Sequence, residues 1–171
     1  RGSVLEPAEE VSPGGVAAIS GADFGLDSDS SGPERRKKLA AWITDPANPL
    51  FARVMVNRLW HHYFGVGNVD TPNDFGFSGG SPSHPRLLDW LADELRRGKW
   101  SLKAMHKTIV MSATYRQVSA LNPEAVAIDA GNRLLWRKAP RRLTGEEIRD
   151  SMLFVSGRLD ATLGGEGYRD V

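Results

Sequence analysis

The residues of this chain best suited to chemistry are four histidines and a scatter of carboxylates. His61 and His62 are adjacent, His84 follows a stretch carrying Asp70 and Asp74, and His106 stands further on. Neighbours on a helix point about 100° apart, so His61 and His62 cannot hold one ion as an i, i+4 pair would. His62, Asp74 and His84 are the candidate catalytic residues. If the intervening segment folds back on the helix bearing His62, these three with Asp70 form a nitrogen/oxygen metal site or a His–Asp general base. The ordinary alternative is that each histidine is a satisfied structural group near a helix end. The chain carries no Gly-x-Ser-x-Gly elbow, no P-loop and no dinucleotide fingerprint. Zero Cys excludes disulfides, thiolate metal sites, a Cys nucleophile and covalent c-type haem attachment within these residues. Met55, Met105, Met111 and Met152 are spaced like core residues, so no cofactor is expected within this chain.

These groups need a scaffold, and Asn48 to Gly76 supplies its centre. Asn48 and Pro49 read as a helix start and Gly65 as its end. Ala52, Met55, Val56, Leu59, Trp60 and Tyr63 fall on one arc, with Arg53, Asn57 and His61 on another and Arg58 beside it. Phe51 and Val54 interrupt the polar stripes, which makes this a central helix with buried polar groups. Buried charges need partners. Arg53, Asn57 and Arg58 are therefore expected to join Glu146, Glu147 and Asp150, with Asp89, in an ion-pair network tying the outer helices to the centre. A long irregular loop follows, from Val66 to Ser83, and loops of that length are often functional.

The other elements are read from periodicity and caps. Pro33 opens a helix to about Thr44, with Leu39, Trp42 and Ile43 inward. His84-Pro85 begins another, ending at Arg97 with Gly98 as its C′ residue. Ser101 caps a fourth, to about Gln117, buried through Leu102, Met105, Ile109 and Ala113. Residues 119–131 form a polar connector with room for a short helical turn. The capping box Thr144-Gly145-Glu146-Glu147 starts the last helix, striped by Ile148, Met152, Val155 and Leu159. The fold class is mainly α: a compact bundle of about five helices with an extended N-terminal arm and a long irregular loop after the central helix. Residues 1–33 read as an acidic arm or linker with a short strand near Gly2 to Leu5. Residues 34–171 read as a helical domain truncated at its C-terminal end.

Residues 1–34 hold one basic residue against seven acids, a net −6, and the remainder holds 21 basic against 14 acidic, a net +7. An acidic arm lying on a basic body fits that asymmetry. The net charge of +1 argues against nucleic acid as a partner. No apolar run approaches the roughly 20 residues of a membrane span. The start lacks a signal-peptide pattern and an initiator Met, as expected of a piece of a longer chain. Among the tryptophans, Trp100, in a turn between Lys99 and Ser101, is the best candidate for a carbohydrate platform.

Several blocks, in order, carry a resemblance. They are RRKKLAAWITDPANPLFARVMVNRLWHHYFG, TPNDFG, HPRLLDWLA, WSLKAMHKTIVMSATYRQ, RRLTGEEIRDSMLFVSGRLD and LGGEGYRDV. Together they resemble the N-terminal part of the planctomycete-type domain of unknown function number fifteen fifty-three, also called the PSD domain, over about residues 35–171. The resemblance implies an exported, cell-surface parent protein with companion domains of the same chain as partners, often including a cytochrome-c-like haem domain. It brings no established activity and no established catalytic residues. The reading is therefore a helical module with a packing or partner-binding role, extracytoplasmic or at the cell surface. The alternative is part of an enzyme, a hydrolase acting on surface polysaccharide through His62, Asp74 and His84.

Overall fold

In the computed structural model, residues 11–19, 21–162 and 164 are described, and seven helices and no strand are found among them. The mainly α class holds. The described residues belong to two compact units divided between Lys138 and Ala139. The expected strand near Gly2 to Leu5 lies outside the described residues.

The first unit is built on α2 (Leu50–Phe64) packed against α3 (Pro85–Arg97) and α4 (Leu102–Val110). Ala52, Val56 and Trp60 of α2 meet Leu88, Leu91, Ala92 and Leu95 of α3 and Met105 and Ile109 of α4. On α3 these positions recur at three- and four-residue steps, so one face is continuously apolar. Met55, Leu59 and Tyr63 lie partly buried against the cluster, as their arc on α2 implies. The start of α2 is local chemistry. Asn48 Oδ1 accepts from the Leu50 N–H at 3.0 Å, and Gly65, at φ 82°, ends the helix by donating to the His61 carbonyl at 2.8 Å.

Several expectations are corrected. Gly98 has φ −74° and does not adopt the left-handed C′ conformation. Lys99 and Trp100 carry positive φ instead, which lets the Trp100 N–H reach back to the Leu95 carbonyl. The fourth helix is not continuous to Gln117. Ser112 donates its hydroxyl to the Ile109 carbonyl at 2.7 Å and accepts from the Tyr115 N–H at 3.2 Å, ending α4 and capping α5 (Ala113–Arg116). Leu102 and Ala113 are exposed rather than buried. In the connector Asn122 caps α6 (Pro123–Ile128), and these two short helices raise the count from five to seven.

The arm is held by α1 (Gly32–Thr44), whose capping box Ser31-Gly-Pro-Glu34 begins it two residues before Pro33 is reached. No residue of α1 is fully buried, so the inward face expected of Leu39, Trp42 and Ile43 is only partly covered. Trp42 packs on Phe24, with ring centroids 6.1 Å apart, and lies against Gly15, where a Cβ would meet the indole at 2.7 Å. An antiparallel bridge, Gly14 to Asp23, folds the described part of the arm on itself. Arg35 binds loop carbonyls, those of Ser28 and Ser30.

The second unit contains α7 (Gly145–Val155), started by the expected capping box of Thr144 and Glu147. Glu147 also accepts from Arg141, at 2.5 Å. The bond from Arg141, then that from the Thr144 N–H, holds the Glu147 carboxyl below its ordinary 4.5. The Ser31 hydroxyl, then the Ser31 N–H, does the same for Glu34. Both carboxyls have depressed folded values, so their support for the helix starts is present above about pH 4.5 and lost as pH falls through the folded values. Acid titration of far-UV helicity should show this loss, and a Glu34→Gln, Glu147→Gln double variant should flatten the acid limb. An unchanged limb in that variant would assign the acid sensitivity elsewhere.

Candidate functional site

The long loop after α2 is anchored to that helix by Asn57. Its side chain is fully buried and bonds both backbone groups of Val69, accepting from the N–H and donating to the carbonyl, each at 2.9 Å. Gly67 passes over that amide so closely that a Cβ would sit 2.7 Å from it and 2.5 Å from the Val69 carbonyl oxygen. Beyond this anchor the loop braces itself. The Thr71 hydroxyl donates to the Asp74 carbonyl at 2.8 Å and accepts from the Gly80 N–H at 2.9 Å. Asp74 Oδ1 accepts from the Gly76 N–H at 2.8 Å, a turn-forming use of the carboxylate.

The three candidate catalytic residues have these surroundings. His62 is exposed on the last turn of α2, its ring edge-on to His61 with centroids 6.0 Å apart. Asp74 serves the turn just described. His84 precedes α3, its carbonyl accepting from the Leu87 and Leu88 N–H groups and its Nδ1 lying 3.0 Å from Ser83 Oγ. No hydrogen bond joins any two of the three, and among the described residues no group of three or more His, Asp or Glu side chains is placed to hold a metal ion. Asp70 faces Arg133 at 3.9 Å. His106 Nδ1 pairs with the Tyr63 hydroxyl at 2.7 Å, beneath an aromatic group in which Lys138 sits 4.7 Å from the Tyr115 ring and 5.0 Å from that of Phe64.

The residues named for the ion-pair network have the following partners within each unit. Arg53 Nε meets Asp89 at 2.7 Å while its Nη1 donates to the Pro49 carbonyl. Arg58 Nη2 donates to Asn73 Oδ1 at 2.6 Å. Asn57 serves Val69, Glu147 serves Arg141 and Thr144, the Glu146 carboxyl is held below its ordinary value by its own N–H and then by the Thr144 side chain, and Asp150 lies 3.4 Å from Arg149. Of the polar residues on α2 expected to be buried, only Asn57 is; Arg53 is half-buried and Arg58 exposed.

What these placements create is a cleft of about 520 Å³ walled by the arm, α2 and the Pro72–Gly76 turn. Leu50, Val54 and Arg58 line it from one face of α2, and Val16 and Ile19 from the arm. The four-residue spacing of Leu50, Val54 and Arg58 is a sequence signal, but it looks like an interruption of the polar stripes until the loop is in place. Trp100, the candidate carbohydrate platform, packs against Phe51 with centroids 5.1 Å apart and retains 39% exposure.

A family model described as "Protein of unknown function (DUF1553)" matches residues 35–171. The chain belongs to this family. The α2 and turn walls of the cleft lie inside the DUF1553 match, whereas the arm residues Val16 and Ile19 lie ahead of it. No curated protein and no solved structure matches the chain. No helix among the described residues of this DUF1553 chain is long and apolar enough to cross a membrane.

Proposed function

We propose that this chain is a helical packing module of a larger, exported cell-surface protein, and that its role is to hold companion domains of the same parent chain, a haem domain among them. The observation that carries the packing role is the apolar face of α7. Ile148, Met152 and Val155, which fall on one stripe, are 43%, 68% and 86% exposed, and no residue of the helix is buried. An 11-residue helix is marginal by itself in water, since nucleation is costly and most helical stability comes from covering an apolar face. Large exposed apolar patches mark interaction surfaces. Export and the haem-bearing company rest on the family resemblance of the 35–171 blocks.

The hydrolase alternative requires His62, Asp74 and His84 at one reacting centre. Each is engaged in local bonding or exposed singly, so the geometry favours packing. Hydrogen exchange read on this chain and on the longer parent tests the reading. The amides of residues 148–155 should exchange at least about ten-fold more slowly in the parent, where the face is covered. Met152→Lys with Val155→Lys should abolish that protection. Equal exchange in both contexts would overturn the packing role.

A further inference from the structure

We propose that the cleft between the arm, α2 and the Pro72–Gly76 turn binds a short apolar peptide with free, charged ends. Its volume, about 520 Å³, falls in the range of roughly 300–1,000 Å³ found for ligand sites. The walls are mostly aliphatic and aromatic, with Ile19, Leu50, Val54 and Phe75 contributing.

Two opposite charges, Arg58 and Asp74, line this one cleft. They are not paired with each other, and neither forms an ion pair with any described residue. The Arg58 guanidinium gives one N–H to the neutral Asn73 amide oxygen, which fixes it and leaves further donors. Asp74 uses Oδ1 on the Gly76 N–H, and Oδ2 takes no partner among the described residues. A purely anionic ligand would be repelled by Asp74, and a purely cationic one by Arg58. A ligand bearing both signs meets an opposite charge with each, while apolar side chains match the walls. Di- and tripeptides of aliphatic residues have that chemistry. The proposal is independent of the packing role, because α7 belongs to the other unit.

The test is an NMR titration of this chain with Leu-Leu, beside N-acetyl-Leu-Leu, which lacks the ammonium, and Leu-Leu amide, which lacks the carboxylate. Leu-Leu should give saturable shifts at Ile19, Val54 and Phe75. Capping either end should weaken binding about three- to five-fold, the scale of one exposed charge pair. Arg58→Gln should abolish discrimination against the amide alone, and Asp74→Asn discrimination against the acetyl form alone. Val54→Trp should abolish all three interactions while helicity stays unchanged. Shifts that do not saturate, capped peptides that bind as well as Leu-Leu, or full binding by a folded Val54→Trp chain would each overturn the proposal. The comparison of the three peptides is made on the unaltered chain, so it stands even where a variant fails to fold.

Discussion

Asn57→Ala should destabilise the first unit by about 3 kcal/mol, because it strips both backbone groups of Val69 of their partners in a site closed to solvent. Each unsatisfied buried group costs roughly 1–3 kcal/mol, and Gly67 lies so close above the amide that the space cannot be refilled by a neighbouring side chain without moving backbone. The effect should be local as well as global. Hydrogen exchange at Val69 and through residues 66–83 should accelerate before the α2–α3–α4 core opens, since the loop loses its buried hydrogen bonds to α2. Denaturant unfolding with an unchanged slope measures the loss. A midpoint equal to that of the unaltered chain, with loop exchange unaltered, would show that the Thr71 and Asp74 bonds, with that of the Ser83 N–H to the Asn68 carbonyl, hold the loop unaided.

Leu95→Ala should cost a similar amount, about 3 kcal/mol, as a cavity-forming change in a close-packed cluster. Leu95 is 1% exposed and is packed in the cluster that α2 and α4 share with α3. Leu39→Ala makes the matched control. Leu39 falls on an equally regular helical stripe, but it is 41% exposed, so the loss should be well under half as large. Comparable losses at the two positions would mean that α1 is as deeply covered as α3, against the burial observed.

Both results turn on information that sequence carries unevenly. Helix starts at Ser101 and Thr144, the beginning of α3 at Pro85 and the end of α2 at Gly65 are legible because each is settled within about four residues, between a cap and the N–H or carbonyl it satisfies. The apolar face of α3 is legible for the same reason, since periodicity alone defines it. The Ser31 and Glu34 box was equally available in the sequence and is obscured by the Pro33 that follows Ser31. The break at Ser112 is less readable, because a serine within a helical stripe either tolerates the helix or competes with it, and the Ile109 carbonyl here goes to the hydroxyl.

The candidate site was legible only as an inventory. Sequence identifies a polar loop following a central helix, and it supplies Arg58, Asn73 and Asp74 by type. That Asn57 faces Val69, that Arg53 meets Asp89, and that Val54 lines a cleft instead of spoiling a stripe are settled by which surfaces meet. The sequence by itself determined the mainly α class, most helix boundaries and the family, all of which rest on short-range patterns in a fixed order. Tertiary structure alone decided which polar residue of α2 is buried, how the loop is anchored and where the cleft opens. Those depend on contacts between residues 12 or more positions apart, whose energies are set by packing geometry and not by spacing along the chain.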